Sequence, residues 1–157
     1  MKPTVYVETS VISYLTAQVS RDLVVAAHQQ VTVEWWQKAL PQLEPFVSPV
    51  VLEEIARGDP EAAKRRMDAV AAFQVLEVLP EVRDLAERYF AAIDLPEKAR
   101  ADAYHLALAV WHGMNYLVTW NCTHIAGGRV KLLVQRMNAG RGTVPPVICT
   151  PEELMEV

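Results

Sequence analysis

The chain has 157 residues, of which 52% are hydrophobic and 22% are charged, and its formal net charge is −4 at pH 7. This length predicts one domain with a substantial core, and the composition excludes an intrinsically disordered chain. The negative charge argues against general electrostatic binding to long nucleic acids, because such proteins are usually basic, so any nucleic-acid contact has to be local or bridged by a metal.

The sequence shows no sign of a membrane or secreted protein. No apolar run reaches the roughly 18–20 residues of a membrane helix, and residues 1–3 lead into a strand-like run instead of a signal peptide. Cys122 and Cys149 are isolated and lack the spacing of a metal site. We therefore expect reduced cysteines, a cytoplasmic location and no membrane partner.

Short β-branched runs alternate along the chain with longer stretches of helical period, which is typical of consecutive βαβ units. Strands are predicted near 4–8, 46–48, 75–78, 116–119 and 146–149. Helices are predicted near 10–18, 21–40, 49–57, 60–72, 81–93, 97–113 and 128–139. The pattern predicts a single α/β domain over residues 1–157, a three-layer α/β/α sandwich with a short, mainly parallel central sheet of about five strands.

Three acidic residues are placed where a parallel sheet would deliver them to one site. Glu8 ends the first predicted strand, Glu54 lies in the helix after the second, and Asp102 lies in the helix before the fourth. Open parallel sheets bind ligands outside the carboxyl ends of their strands. Carboxylates gathered there repel one another unless a cation is present, and their oxygens favour Mg²⁺ or Mn²⁺. The three acids therefore predict a divalent-metal site that cuts phosphodiester bonds.

Each acid also has an ordinary structural interpretation. Glu8 can favour the N-terminus of the next helix through the helix dipole, with Ser10 as the cap. Asp102 can be a solvent-facing acid. The helical phase does not decide which of Glu53 and Glu54 faces the sheet. Other enzyme classes fit poorly, because the glycine pairs form neither a dinucleotide fingerprint nor a P-loop.

Four segments, in order, resemble the motifs of the PIN-domain family. They are residues 5–12 (VYVETSVI), 47–58 (VSPVVLEEIARG), 101–109 (ADAYHLALA) and 116–121 (YLVTWN). In the first, a strand ends in an acid that is followed by Thr and Ser and an apolar helix. The resemblance covers nearly the whole chain, and its specificity lies in the ordered set of four rather than in any single motif.

The resemblance implies a small Mg²⁺- or Mn²⁺-dependent endoribonuclease, most often the VapC-like toxin of a bacterial toxin–antitoxin pair. Its partners would be an RNA substrate and a cognate antitoxin protein, and its catalytic residues would be Glu8, Glu54, Asp102 and Asn121. The family usually has Asp as the first acid, and Glu8 is one methylene longer. It usually has Asp in the fourth motif as well, where Asn121 contributes no charge. These departures leave open one-metal chemistry and a catalytically weakened PIN-like module that binds protein or RNA.

In the catalytic hypothesis, the metal ligands are Glu8 and Asp102. Glu54 completes the metal shell or accepts the proton of the attacking water. The metal would polarise the scissile phosphate and lower the pKa of a bound water.

The polar neighbours of the acids are candidates for substrate binding. Thr9 and Ser10 are predicted to hold a phosphate oxygen together with the N–H groups that begin the following helix. His124 is predicted to donate to the substrate or to hydrogen-bond a carboxylate, with the cap of a loop as the alternative. His105, one turn after Asp102, is expected to support or pack beside the site rather than to bind the metal.

The predicted helix 21–40 contains the adjacent residues Trp35 and Trp36, which point about 100° apart. Both can be buried only if the helix is covered on two sides. One interpretation is a helical arm that clasps an antitoxin peptide or a second subunit, which predicts a homodimer. The other is a helix packed on the sheet with one tryptophan partly exposed. The basic cluster 64–66 is predicted to be a solvated face, with RNA contact as the alternative.

Overall fold

In a computed structural model of the protein, which describes residues 1–157, five parallel strands form the central sheet. The strands are Thr4–Val7 (β1), Glu44–Val47 (β2), Gln74–Val75 (β3), Tyr116–Val118 (β4) and Val147–Cys149 (β5), in the order β3-β2-β1-β4-β5. The helices are Thr9–Thr16 (α1), Leu23–Lys38 (α2), Pro49–Ile55 (α3), Pro60–Ala69 (α4), Pro80–Ile93 (α5), Arg100–Trp111 (α6) and Gly128–Ala139 (α7). Short 3₁₀ turns lie at Leu40–Gln42 and Glu97–Ala99. The predicted α/β fold with a three-layer arrangement and a parallel sheet of about five strands is confirmed.

Two strands differ from their predicted bounds by more than one residue, and the other three are each one residue shorter than predicted. β2 begins at Glu44, two residues earlier than predicted, and includes Pro45, which pairs with Val5 of β1. The N–H of Glu44 donates toward β1, to the carbonyl of Pro3 at 2.9 Å, so the missing N–H of Pro45 falls on the opposite side. On that side β3 pairs only from Phe46 onward, so the proline breaks no ladder bond. β3 itself has two residues instead of the predicted four.

The order of the strands places a ligand-binding position beside β1. The chain adds β2 and β3 on one side of β1 and then returns to add β4 and β5 on the other. The connections therefore diverge between β1 and β4, and open α/β sheets bind ligands at the carboxyl ends of the strands at such a point. Glu8 directly follows β1, and Thr119 directly follows β4.

The hydrophobic core surrounds β1. Val5, Tyr6 and Val7 have no exposed surface, because β1 has a strand on each side and helices on both faces. α6 is buried along most of its length and packs closely on α5, which its alanines allow. A central strand and a buried helix therefore hold the residues around Glu8 in place.

The tryptophans of α2 show how this helix packs. Trp35 has no exposed surface, and Trp36 is half-buried and stacks on Phe73 with 5.5 Å between ring centroids. This matches a helix packed on the body of the domain with one tryptophan partly exposed. The homodimer and the antitoxin groove stay predictions. None of the helices combines the length and apolar character that crossing a bilayer requires.

The basic cluster 64–66 lies on α4. Lys64 is exposed and pairs with Asp68 at 2.9 Å. Arg66 donates to the backbone carbonyl of Ile55 at 2.9 Å and fixes the end of α3 against α4. Lys64 and Arg66 therefore make local contacts at the solvent-exposed surface of α4.

Candidate active site

Glu8 lies at the carboxyl end of β1, with only 4% of its surface exposed. Its Oε1 accepts hydrogen bonds from the hydroxyls of Ser10, at 2.5 Å, and Thr119, at 2.6 Å. Two donors offset part of the cost of burying this carboxylate, and Oε2 has no donor within the protein. Glu8 occupies the N-cap position of α1, but its side chain makes no capping hydrogen bond. The alternative in which Glu8 only stabilises the N-terminus of α1, with Ser10 as the cap, does not account for these hydrogen bonds.

Glu54 comes to the same edge from α3. The hydroxyl of Ser48 caps this helix by accepting from the N–H of Val51. Glu54 Oε1 accepts from the hydroxyl of Thr9 at 2.7 Å and contacts Nε2 of His105 at 2.6 Å. Burial opposes ionisation of Glu54, but these hydrogen bonds and the charge of His105 outweigh it and lower its pKa. Its neighbour Glu53 points to solvent.

A series of buried hydrogen bonds holds His105, the partner of Glu54, in place. His105 has no exposed surface, and its Nδ1 lies 2.7 Å from the Tyr6 hydroxyl, which in turn lies 2.8 Å from Ser48 Oγ. Burial alone would lower the pKa of His105. The hydrogen bond to Glu54 and the charges of Glu8, Glu54 and Asp102 outweigh burial and raise this pKa. Burial also raises the pKa of Tyr6 well above 10.0, which keeps its hydroxyl neutral.

Sequence reasoning missed Tyr6 and Ser48 as parts of the site. The available signal is positional. Tyr6 is a polar aromatic in an apolar run, two residues before Glu8, and therefore on the same face of β1. Ser48 follows β2, the strand next to β1. Thr119, in the fourth motif, is a further residue without a predicted role, although its hydroxyl donates directly to Glu8.

Asp102 lies on α6, one turn before His105, so the two share a helix face. Its Oδ2 lies 3.1 Å from Nδ1 of His124, which follows the carboxyl end of β4. The contact matches one of the two roles predicted for His124, the hydrogen bond to a carboxylate. Asn121 Oδ1 accepts from the backbone N–H of His124 at 3.0 Å and thereby fixes the turn that carries the imidazole.

The acids do not form one compact group on their own. One ligand atom from each of Glu8, Glu54 and His105 lies within 4.8 Å of the other two. Asp102 is not a member of that group and instead contacts His124, although its charge reaches His105. The structure therefore brings two of the three predicted metal ligands together and places the third beside them at the same edge of the sheet.

Two predicted substrate-binding hydroxyls have protein partners. Thr9 donates to Glu54 and Ser10 donates to Glu8, because the first turn of α1 passes between the two carboxylates. Ser10 Oγ also accepts from the backbone N–H of Trp120 at 2.8 Å. The indole of Trp120 stacks on His28 with 4.1 Å between ring centroids, so this side chain packs beside the site.

The carboxylate oxygens that are available as ligands fit Mg²⁺ or Mn²⁺. The protein's hydrogen bonds fall on one oxygen of each acid, namely Oε1 of Glu8, Oε1 of Glu54 and Oδ2 of Asp102. The other oxygen of each acid has no donor, and fixed anionic oxygens are the ligands that these hard cations prefer. His105 fits a metal poorly, because Nε2 is engaged by Glu54 and Nδ1 by Tyr6. We therefore assign His105 to hydrogen bonding rather than to coordination.

Comparison with known proteins gave no relative: no protein-family model matches the chain, and no curated protein matches its sequence. Support for a function therefore comes from the residues of the site and their geometry.

Proposed function

We propose that this protein is a Mg²⁺- or Mn²⁺-dependent endoribonuclease of the PIN-domain type. The observation that carries the proposal is the set of Glu8, Glu54 and Asp102, which come from three separate elements to the carboxyl edge of the sheet and each keep one oxygen without a protein donor. A module that only binds protein or RNA has no need to collect carboxylates there, because their mutual repulsion destabilises the fold. In this proposal the protein is the toxin of a bacterial toxin–antitoxin pair, as the resemblance implies.

Glu8, Glu54 and Asp102 are the residues that would hold the metal. When bound, such an ion polarises the scissile phosphate and lowers the pKa of a water molecule. Thr119 and Ser10 fix Glu8 through one oxygen, so only the other oxygen is available for binding. This arrangement presents a buried carboxylate in one orientation, which a solvent-exposed acid would not do.

His105 holds Glu54 in the same way. With Nε2–H donated to Glu54 and Nδ1 engaged by the Tyr6 hydroxyl, the imidazole cannot rotate without breaking two buried hydrogen bonds. The raised pKa of His105 favours its imidazolium form, which offsets part of the negative charge of the acids. Glu54 therefore stays ionised, with one oxygen free to bind the metal or to accept a proton from the attacking water.

His124 is the group best placed to meet the substrate. Its side chain is 28% exposed, and only Nδ1 is engaged, by Asp102. With Nδ1 directed to Asp102, Nε2 has no hydrogen-bond partner within the protein and is free to contact a phosphate oxygen. A substrate role for Nε2 and a carboxylate contact through Nδ1 are therefore compatible.

Cleavage of single-stranded RNA tests the proposal. We expect cleavage with Mg²⁺ or Mn²⁺, none with EDTA, and none in the variant Asp102→Asn, because removal of a ligand carboxylate lowers both metal affinity and water activation. Asp84→Asn, which changes an exposed acid on α5, is the matched control and should cleave normally. Equal cleavage by Asp102→Asn and the wild type would assign the activity to another site or to a contaminant.

A PIN-like binding module without catalysis is the second candidate. The observation that favours it is the amide of Asn121, whose oxygen is used by the backbone of His124. This candidate predicts RNA or protein binding that is unaffected by Mn²⁺, with no heat of metal binding in a calorimetric titration. Metal binding that disappears in Asp102→Asn would reject it.

A further inference from the structure

A cleft of about 600 Å³ opens beside the proposed metal site. Its walls come from α3, the segment after β3, α5 and the first turns of α6. Glu54 lines this cleft as well as contacting His105 in the acid site. A molecule in the cleft would therefore lie next to one of the proposed metal ligands. The volume falls within the range of about 300–1,000 Å³ that small-molecule sites occupy.

One wall of the cleft is apolar and includes an aromatic ring. Val50, Val78 and Tyr104 are half-buried, pack against the hydrophobic core and expose their remaining surface to the cleft. Tyr104 lies between Asp102 and His105 in the sequence of α6, so its position is fixed by the helix that carries the site. An aromatic ring on a rigid helix provides the kind of surface on which an unpaired base stacks.

The cations of the cleft differ in their availability. Arg100 is held by Glu87 and Glu97, and Arg57 pairs with Glu53 at 3.0 Å. Arg83, on α5, is exposed and has no ion pair within 4.0 Å and no side-chain hydrogen bond. Its guanidinium is therefore the cation that can receive a phosphate without breaking an existing pair.

The total charge of the lining limits the ligand to one with few charges. Besides its three arginines, the cleft is lined by Glu53, Glu54 and Glu77. Glu77 has no ion pair, so one free cation is accompanied by one free anion. This balance suits a single phosphodiester with its base and disfavours a polyphosphate.

We propose that this cleft binds one nucleotide of single-stranded RNA adjacent to the bond that is cut, with its base against Tyr104 and its phosphate at Arg83. This inference rests on the proposed function, because it takes RNA to be the substrate. It makes Arg83 and Tyr104 substrate-positioning residues. It also requires a single-stranded substrate, because a base has to leave its helical stack to contact the ring.

Binding of a short fluorescein-labelled single-stranded RNA, measured by anisotropy in EDTA so that nothing is cleaved, tests Arg83. Arg83→Gln should weaken binding about threefold to tenfold. It should also reduce the slope of log K against log salt by about 0.7, the contribution of one phosphate contact on a single strand. Arg88→Gln is the matched control, since it removes an exposed arginine from the same helix outside the cleft, and it should change neither quantity beyond the general effect of charge.

Tyr104 is tested in the same assay by a pair of variants. Tyr104→Leu should weaken binding about tenfold through loss of stacking, and Tyr104→Phe should bind like the wild type. Thermal unfolding of both variants without RNA shows whether the half-buried position tolerates the change. Should Tyr104→Leu fail to fold, the surface variant Arg83→Gln decides alone.

The outcomes separate this inference from the proposed function. Equal affinities and salt slopes for Arg83→Gln and Arg88→Gln would overturn the nucleotide site, even if metal-dependent cleavage is observed. An Arg83-dependent affinity in a protein that never cleaves RNA would support the nucleotide site and reject the ribonuclease. Absence of RNA binding in EDTA would overturn the nucleotide site, and cleavage with Mg²⁺ or Mn²⁺ would then decide the ribonuclease separately.

Discussion

Replacement of Tyr6 by phenylalanine removes a single buried oxygen on which two further side chains depend. The Tyr6 hydroxyl lies 2.7 Å from Nδ1 of His105 and 2.8 Å from Oγ of Ser48, and all three residues are fully buried. Phenylalanine fills the same space except for that oxygen. The variant therefore isolates the hydrogen bonds from the packing of the ring.

The cost follows from what each partner loses. Each of the two hydrogen bonds contributes about 1 kcal/mol net to the free energy of unfolding. Ser48 Oγ keeps its bond from the N–H of Val51, but Nδ1 of His105 is left buried with no partner, which adds roughly 1–2 kcal/mol. We expect Tyr6→Phe to lower the free energy of unfolding by about 3 kcal/mol, or the melting temperature by roughly 6–12 °C for a domain of this size.

Tyr89→Phe provides the matched control within the same protein. Tyr89 is also fully buried, and its hydroxyl accepts one hydrogen bond, from Nδ2 of Asn138 at 2.8 Å. That amide retains a second bond, to the carbonyl of Val134 at 2.7 Å. We expect Tyr89→Phe to cost only about 1 kcal/mol, because no buried group is left without a partner.

Urea unfolding followed by tryptophan fluorescence measures both variants against the wild type. A cost of Tyr6→Phe equal to or below that of Tyr89→Phe would refute the reasoning. It would mean that the hydrogen bonds between Tyr6, His105 and Ser48 contribute nothing beyond an ordinary buried hydroxyl.

Three further predictions concern the charges of the site. Asn121→Asp keeps an acceptor for the backbone N–H of His124 and adds one negative charge, so it should bind Mn²⁺ about tenfold more tightly, a gain of about 1.4 kcal/mol. Equal or weaker binding in a calorimetric titration would place residue 121 away from the metal. Glu54→Gln should be most destabilising between the ordinary pKa values of 4.5 for Glu54 and 6.5 for His105. The stabilisation by the ion pair is lost as the pH falls through the lowered pKa of Glu54, and again as the pH rises through the raised pKa of His105. A difference in unfolding free energy between Glu54→Gln and the wild type that is constant with pH would contradict this prediction. Thr119→Val should lower the free energy of unfolding at neutral pH by about 2 kcal/mol, because it removes a hydrogen-bond donor from the buried carboxylate of Glu8. Mn²⁺ should restore part of this loss. An unchanged urea midpoint would exclude a contribution of the Thr119 hydroxyl to stability.

The architecture could be predicted because burial on both faces leaves a clear pattern in short strands. Val5 and Val7 in β1 and the apolar residues of β4 show this pattern, and the glycine and proline positions separate them from the helices. The start of β2 escaped prediction because Pro45 argues against a strand from sequence alone. It is tolerated only because the neighbouring strand has not yet begun at that point, which is a property of the sheet and not of the segment.

The acids of the site could be predicted to a useful degree because the ends of parallel strands share one edge. The partners of their oxygens could not, because Thr9 and Ser10 read equally well as ligands for a phosphate or for a carboxylate. The contact between Tyr6 and His105 joins residues 99 positions apart, and no local pattern in either segment indicates it. The choice of Glu54 over Glu53 came from the resemblance, and the structure shows that Glu54 is the one at the site.

The contacts that hold Glu8 have a consequence for when the site forms. Thr119 donates to Glu8 across 111 positions of sequence, and His105 reaches Glu54 across 51. A chain still emerging from a ribosome already carries Glu8 and Glu54 with the hydroxyls of Ser10 and Thr9, but it lacks His105 until α6 and Thr119 until β4 has been synthesised. Pairing of β4 with β1 closes a long loop, a slow and entropically costly step in folding. The capacity to bind metal should therefore appear late and together with global folding, so a truncated or partly folded chain would be inert.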